Sequence, residues 1–180
     1  MRTLTKWTVS EYHNLIQKGI LDHKRVELLD GELVEMAPES PLHRTVMDKG
    51  NDYLRSLLHG KAGVYEGHPI TLTNSEPEPD IVVVQLPKSQ YSERHPNASE
   101  IFLLIEVAKS TLSSDLSDKK NLYQKEGIKE YWVIDLVNNQ LHIFKDLINA
   151  QYRSMTIYTE GNVIPNAFPN LEISVAKLLN

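Results

Sequence analysis

The sequence predicts an α/β chain of the mixed α+β kind: a mixed central β-sheet flanked by helices. Three observations carry that prediction. The continuous apolar runs Ile81-Val82-Val83-Val84 and Ile101-Phe102-Leu103-Leu104-Ile105-Glu106-Val107 read as strands covered on both faces. Apolar residues recur at helical spacing from Pro41 to Leu58 and again over about 112–126. The pairs Asp30-Gly31 and Asn138-Asn139 mark tight turns between strand-like stretches. Helix, hairpin, helix, several strands, helix and more strands is the order of a mixed sheet with packed helices.

The elements follow in order. Val9-Ser10 with Tyr12, Leu15 and Ile16 reads as a short capped helix that Gly19 ends. Arg25 to Ala37 reads as two antiparallel strands about Asp30-Gly31. Ser40 is placed to cap a helix with Pro41 at its first position; Val46, Met47, Leu54, Leu57 and Leu58 continue it and Gly60 stops it. Strands are expected near 63–72, 80–85 and 101–108, and the proline-containing segment 87–99 is expected to be a loop. A helix over about 112–126 ends at Gly127. Strands at 130–137 and 140–144 flank Asn138-Asn139. Tyr152 to Tyr158 gives another strand, and Leu171 to Leu179 a short strand and a final helical turn.

Bulk composition sets outer limits. With 180 residues, 41% hydrophobic and 24% charged, the chain is expected to form one domain, 1–180, with a substantial core. No apolar run approaches a membrane span, and the first seven residues lack the apolar centre of a secretion signal. No cysteine occurs, which rules out disulfides and thiolate metal sites and fits a cytoplasmic location. The net charge of −5 counts against broad phosphate binding, although a carboxylate site becomes less negative once it holds a divalent ion.

Two acids stand where carboxylates are costly. Asp80 enters the apolar run at 81–84 behind Pro79. Alone, it reads first as a strand-start aspartate capping a turn after Pro79, since Asp is common in turns. Glu106 has five apolar residues before it, and its charge needs a cationic partner or a metal. Two carboxylates on adjacent strands repel one another. A hard cation such as Mg²⁺ relieves that repulsion, and the Val107 carbonyl could supply a third oxygen. On the following helix Lys119 lies three residues after Leu116, on the apolar stripe with Leu112 and Tyr123, whereas Lys120 is rotated about 100° away. Lys119 either snorkels past the stripe to water or reaches back to the carboxylates. Lys109, three residues after Glu106, competes with it for the second role. His43, in the first turn of its helix, is either a surface residue or a proton carrier and phosphate contact. The other histidines show no metal-ligand spacing. No glycine-rich phosphate loop and no Gly-x-Ser-x-Gly occurs.

Together these strings resemble the Uma2 family of restriction-endonuclease-like proteins. They are Arg25-Val-Glu27-Leu-Leu-Asp30-Gly31-Glu32, Ser40-Pro41-Leu-His43, Pro79-Asp80, Glu106-Val-Ala-Lys-Ser-Thr-Leu, Asp115-(x)3-Lys119-(x)3-Tyr123 and Gly127-Ile-Lys-Glu130-Tyr131-Trp132-Val-Ile-Asp135. The likeness runs from about residue 7 to the end. It implies the PD-(D/E)xK nuclease fold, with Asp80 and Glu106 as metal ligands. The lysine normally two residues after the second acid is replaced by Ala108, and Lys119 stands at the family's recurrent helical position. Lys109 departs from the family pattern. Glu27, Glu32 and His43 match recurrent positions and would line the same cleft.

The expectation is therefore a Mg²⁺- or Mn²⁺-dependent deoxyribonuclease. Asp80, Glu106 and Val107 would hold the ion, Lys119 would serve the attacking water, and His43 or Glu27 would contact phosphate or relay a proton. Lys109 and Glu32 would face substrate. Cutting a duplex needs one centre per strand, so a homodimer on DNA is expected. The alternative is an inactive, dimeric binding module that keeps the fold, which the acidic charge favours. A third reading keeps the metal site but acts on RNA or branched DNA. Loop 87–99, with Lys88, Tyr91 and Arg94, is a candidate recognition surface, although a solvated loop is the plainer reading. Tyr131 and Trp132 are expected in the core.

Overall fold

The computed structural model describes residues 5–179; the first four residues of the stretch read for a secretion signal lie outside the described residues. Helix α1 (Val9–Gln17) is the expected short capped helix. Thr8 and Glu11 form a capping box, each side chain taking the other's backbone N–H. Strands β1 (Val26–Leu29) and β2 (Glu32–Glu35) pair as the expected hairpin. Its turn residues, Asp30 and Gly31, both have positive φ (46° and 80°), as a type I′ turn requires. Helix α2 (Pro41–Leu57) is capped by Ser40, whose hydroxyl accepts the His43 N–H.

Only the first four residues of the expected strand at 63–72 are strand in the structure. β3 (Gly63–Glu66) ends where Gly67 turns the chain at a φ of 54° and donates its N–H to the Asp80 carbonyl. β4 (Ile81–Val84) and β5 (Ile101–Ala108) are the two apolar runs. The expected helix at 112–126 is continuous but irregular. α3 (Leu112–Ser114) passes through a π turn (Asp115–Lys119) into α4 (Lys120–Lys125). The Tyr131 hydroxyl donates to the Asp115 carbonyl within that turn, at 3.1 Å. β6 (Tyr131–Asp135), β7 (Gln140–Ile148) and β8 (Gln151–Tyr158) follow. β7 runs four residues beyond its expected end, to a tight turn at Asn149-Ala150 that the sequence reading missed. β9 (Asn162–Val163) is an unanticipated partner for β10 (Ile173–Ser174), which leads into α5 (Val175–Leu179).

The main sheet has the order β3-β4-β5-β6-β7-β8. All its neighbours are antiparallel except β5 and β6. A parallel pair needs a crossover, and helix 112–125 supplies it. Alternation then sorts the side chains. Ile81, Val83, Leu103, Ile105, Trp132 and Ile134 pack with α2 and α5. Val82, Val84, Leu104, Tyr131, Val133 and Phe144 pack with α4. Tyr131 and Trp132 are fully buried, as expected. None of the described helices is long and apolar enough to cross a membrane.

Candidate active site

Strand parity brings the two acids together. Ile81 pairs with Ile105, so one step further along the antiparallel ladder Asp80 stands opposite Glu106. Both share the parity of Val82 and Leu104 and so face the side covered by α4. The crossover helix leaves the end of β5 and returns over the same face, carrying Lys119 and Tyr123 to Glu106. Lys119 Nζ donates to Glu106 Oε1 at 3.1 Å, and the Tyr123 hydroxyl donates to the same oxygen at 2.9 Å. Lys119 Nζ also lies 3.4 Å from Glu27 Oε1. Glu27 comes from the hairpin, and its Oε2 accepts the Glu78 N–H at 3.2 Å.

Asp80 is held from two other directions. Its Oδ2 accepts the Val107 N–H at 2.6 Å and meets His43 Nε2 at 3.1 Å. His43 Nδ1 is buried and has no hydrogen-bond partner among the described residues. A cavity of about 320 Å³ joins Glu27, His43, Asp80, Glu106, Val107 and Lys119, with Asp115 and Glu78 on its walls. Lys109 is exposed and borders a smaller adjoining cavity with His43 and Ser110. Glu32 lines a third cavity that touches Lys119 from the far side. Of the two candidate lysines, Lys119 therefore meets Glu106, while Lys109 sits at the rim.

The charge balance is lopsided, with five acids around one buried ammonium. Burial alone would lower the Lys119 pKa, but the charges of Glu106, Glu27 and Asp115 overcome it and hold the pKa above its ordinary value. Burial, together with the neighbouring acids Asp80, Asp115 and Glu27, also pushes Glu106 well above the carboxylate range, against the pull of Lys119. Both members of the pair thus grip their protons, because acids outnumber the cation. Burial raises Asp115 in the same way. For His43, burial works downward, but the hydrogen bond and charge of Asp80 win and raise it.

Sequence reasoning missed three residues of this cluster. Asp115 and Tyr123 had a local signal, because they lie four residues either side of Lys119 on one helix face. Glu78 had none. The suggested recognition loop is occupied internally. Arg94 grips Glu100 through two short bonds, 2.7 and 2.6 Å, and the Lys88 ammonium lies 4.1 Å from the centre of the Tyr65 ring.

Among the described residues, no three His, Asp or Glu side chains converge as a group that could hold a metal ion. The site does offer oxygens suited to a hard cation. The bonds described above use Asp80 Oδ2 and Glu106 Oε1, leaving Oδ1 and Oε2. Val107 spends its N–H on Asp80, and in an extended strand its carbonyl points to the same edge. Mg²⁺ is commonly held by one or two carboxylates and completed by water and substrate phosphate, not by a full protein cage. The donor set fits such an ion.

A mixed sheet with paired acids on neighbouring strands and a helical lysine above them is the layout of restriction-endonuclease-like nucleases. The chain belongs to the Uma2 family: the family model, described as "Putative restriction endonuclease", matches residues 9–176. A crystal structure of "a putative nuclease belonging to DUF820" from Anabaena variabilis is similar over 86% of this chain and 89% of that chain, with 16% identity and a TM-score of 0.69. At that identity the likeness is one of fold. No curated protein matches the chain.

Proposed function

We propose that the protein is a metal-dependent endonuclease that hydrolyses phosphodiester bonds in DNA. One observation carries the reading: Asp80 and Glu106 face one cavity from neighbouring strands, with the Lys119 ammonium on the second acid. Asp80, Glu106 and the Val107 carbonyl would hold Mg²⁺ or Mn²⁺. When bound, that ion supplies a water of lowered pKa and neutralises charge on the scissile phosphate.

The protein's own groups do the rest. Lys119 stays protonated, so it acts as a donor, not as a base. Its N–H groups orient the attacking water and stabilise charge on the non-bridging phosphate oxygens as the pentavalent state forms. Glu27 holds the ammonium at that point from the hairpin side. The hydrogen bond and charge of Asp80 favour the protonated form of His43, which would pass a proton to the 3′ leaving oxygen. Lys109 and Glu32, at the two rims, border the flanking nucleotides.

The test is cleavage of supercoiled plasmid with Mn²⁺ by wild type, Glu106→Gln, Lys119→Met and Lys109→Ala. Glu106→Gln and Lys119→Met should each lose about a hundredfold or more in rate. Lys109→Ala should keep most of it. Undiminished cutting by Glu106→Gln would sink the proposal. Calorimetry showing no Mn²⁺ binding at Asp80 and Glu106 would favour the inactive binding module instead.

A further inference from the structure

We infer that the scissile bond enters this site from a single-stranded segment or a strand end, not from intact duplex. The inference rests on the nuclease reading above and adds the class of substrate.

The first observation is depth. The side chains of Glu106, Lys119, His43 and Asp80 are only 5%, 12%, 14% and 16% exposed. They form a floor, not a ledge. A duplex is a stiff rod, and bending a site of 20–30 base pairs toward a recessed floor costs about 1–6 kcal/mol. Lifting one nucleotide out of its stack costs a few kcal/mol. A flexible strand carries its phosphate to such a floor without that cost.

The second observation is shape. Three cavities, of about 70, 320 and 270 Å³, lie side by side. The first two share Ala37, His43 and Ser110; the second and third share Leu29, Val34 and Lys119. They make one slot, running from Lys109 past the paired acids to Asp118 and Leu122. One wall is hairpin β1–β2 and the other is the segment from Ser110 into the helix that starts at Leu112. A slot between a hairpin and a helix accepts one strand lengthwise.

The third observation is the chemistry of the walls. On the hairpin side, Leu29, Val34, Met36 and Ala37 stand among charged residues such as Glu27 and Glu35. Paired bases are stacked inside a duplex and would have nothing to place against apolar side chains beside the phosphate site. An unpaired base would pack there, as bases do in single-strand grooves. The nearby cations are also engaged: Arg25 with Glu39, and Arg44 with Glu39, Asp48 and Glu66. Few remain to neutralise the dense charge of two strands.

The experiment uses one internally labelled DNA sequence in three forms with Mn²⁺: single strand, blunt duplex, and duplex with a single-stranded gap. Single strand and gap should be cut at least about tenfold faster than blunt duplex. Equal or faster cutting of blunt duplex overturns the inference while leaving the nuclease reading intact. No cutting of any form, with Mn²⁺ bound, overturns the nuclease reading and this inference with it. Val34→Asp places a charge on a half-exposed hairpin position without emptying the core. It should raise KM for the single strand about tenfold and leave Mn²⁺ affinity unchanged. An unchanged KM would remove the hairpin wall from substrate contact and overturn the slot.

Discussion

Glu106 is a carboxylate on a strand where every neighbour in sequence is apolar. What makes it tolerable is that both donors, Lys119 and Tyr123, reach the same oxygen. That leaves Oε2 clear of both donors. Tyr123 is fully buried and packs edge-on against Tyr131, with ring centres 5.0 Å apart. Tyr123→Phe keeps that packing and removes only the hydroxyl. The expected loss is about 1–2 kcal/mol of stability, read by urea denaturation. Cleavage should fall about tenfold, because Glu106 is no longer fixed. Lys119→Met removes the ammonium that offsets Glu106 and Glu27 and should cost about 3 kcal/mol in the same measurement. These two residues were within reach of sequence reasoning, because the spacing Asp115-(x)3-Lys119-(x)3-Tyr123 puts all three on one face of a helix. Glu78 was not, because nothing within a few residues of it says which way the chain turns after Gly67.

Among the elements, the hairpin has the most influence for its size. It stands outside the main sheet and is tied down piecemeal. The Tyr12 hydroxyl donates to the Val26 carbonyl at 2.9 Å, Glu76 N–H to the Leu28 carbonyl at 2.8 Å, and Gly31 N–H to the Asn74 carbonyl at 2.8 Å. Through Glu27 it reaches Lys119, and through Val34 it walls the slot. Its turn depends on Gly31, whose φ of 80° lies in the left-handed region. A Cβ there would also stand 2.6 Å from the Lys6 Cβ. Gly31→Ala should cost about 1–2 kcal/mol in chemical denaturation. It should also slow cleavage, as Glu27 loses its place beside Lys119. The crossover helix contributes the other half of the site. Its π turn, pinned by Tyr131, is the kind of irregularity that often marks a functional position. Helical periodicity in the sequence predicted the helix but not the extra residue, since a single widened turn shifts the apolar stripe too little to read.

For the molecule as a whole, the acidic cluster sets the pH dependence of stability. Burial raises Glu106 and Asp115 above their ordinary values, so above the ordinary carboxylate range the folded state binds more protons than the unfolded chain. Stability then falls as pH rises through their range. Thermal melts taken from about pH 7.5 down to about pH 5.5 should show Tm rising by about 2–4 °C. The rise should be smaller in Glu106→Gln. Further acidification should reverse the trend. Glu39 and Glu100 are held low by Arg25 and Arg94, and they give up that stability as pH drops through their depressed values. Mn²⁺ at pH 7.5 should raise Tm as acid does, in wild type but not in Asp80→Asn, because it relieves the same repulsion.

The sequence by itself determined the strands, the acids they carry and the face on which Lys119 lies. Those are matters of period: apolar runs mark β4 and β5 with an acid in or beside each, and helical spacing turns Lys119 inward while Lys120 points away; the register Ile81 to Ile105 then sets the two acids opposite each other. It also held enough of the family pattern to identify the fold. Tertiary structure alone decided that Glu27 meets Lys119, that His43 reaches Asp80 from the start of another helix, and that hairpin and crossover helix leave a slot between them. The reason is physical. Periodicity is written over a few neighbouring residues, whereas these contacts join segments far apart in the chain. Their meeting depends on how the hairpin, α2 and the crossover helix each bury their own apolar faces, and no local pattern records the sum of those packings.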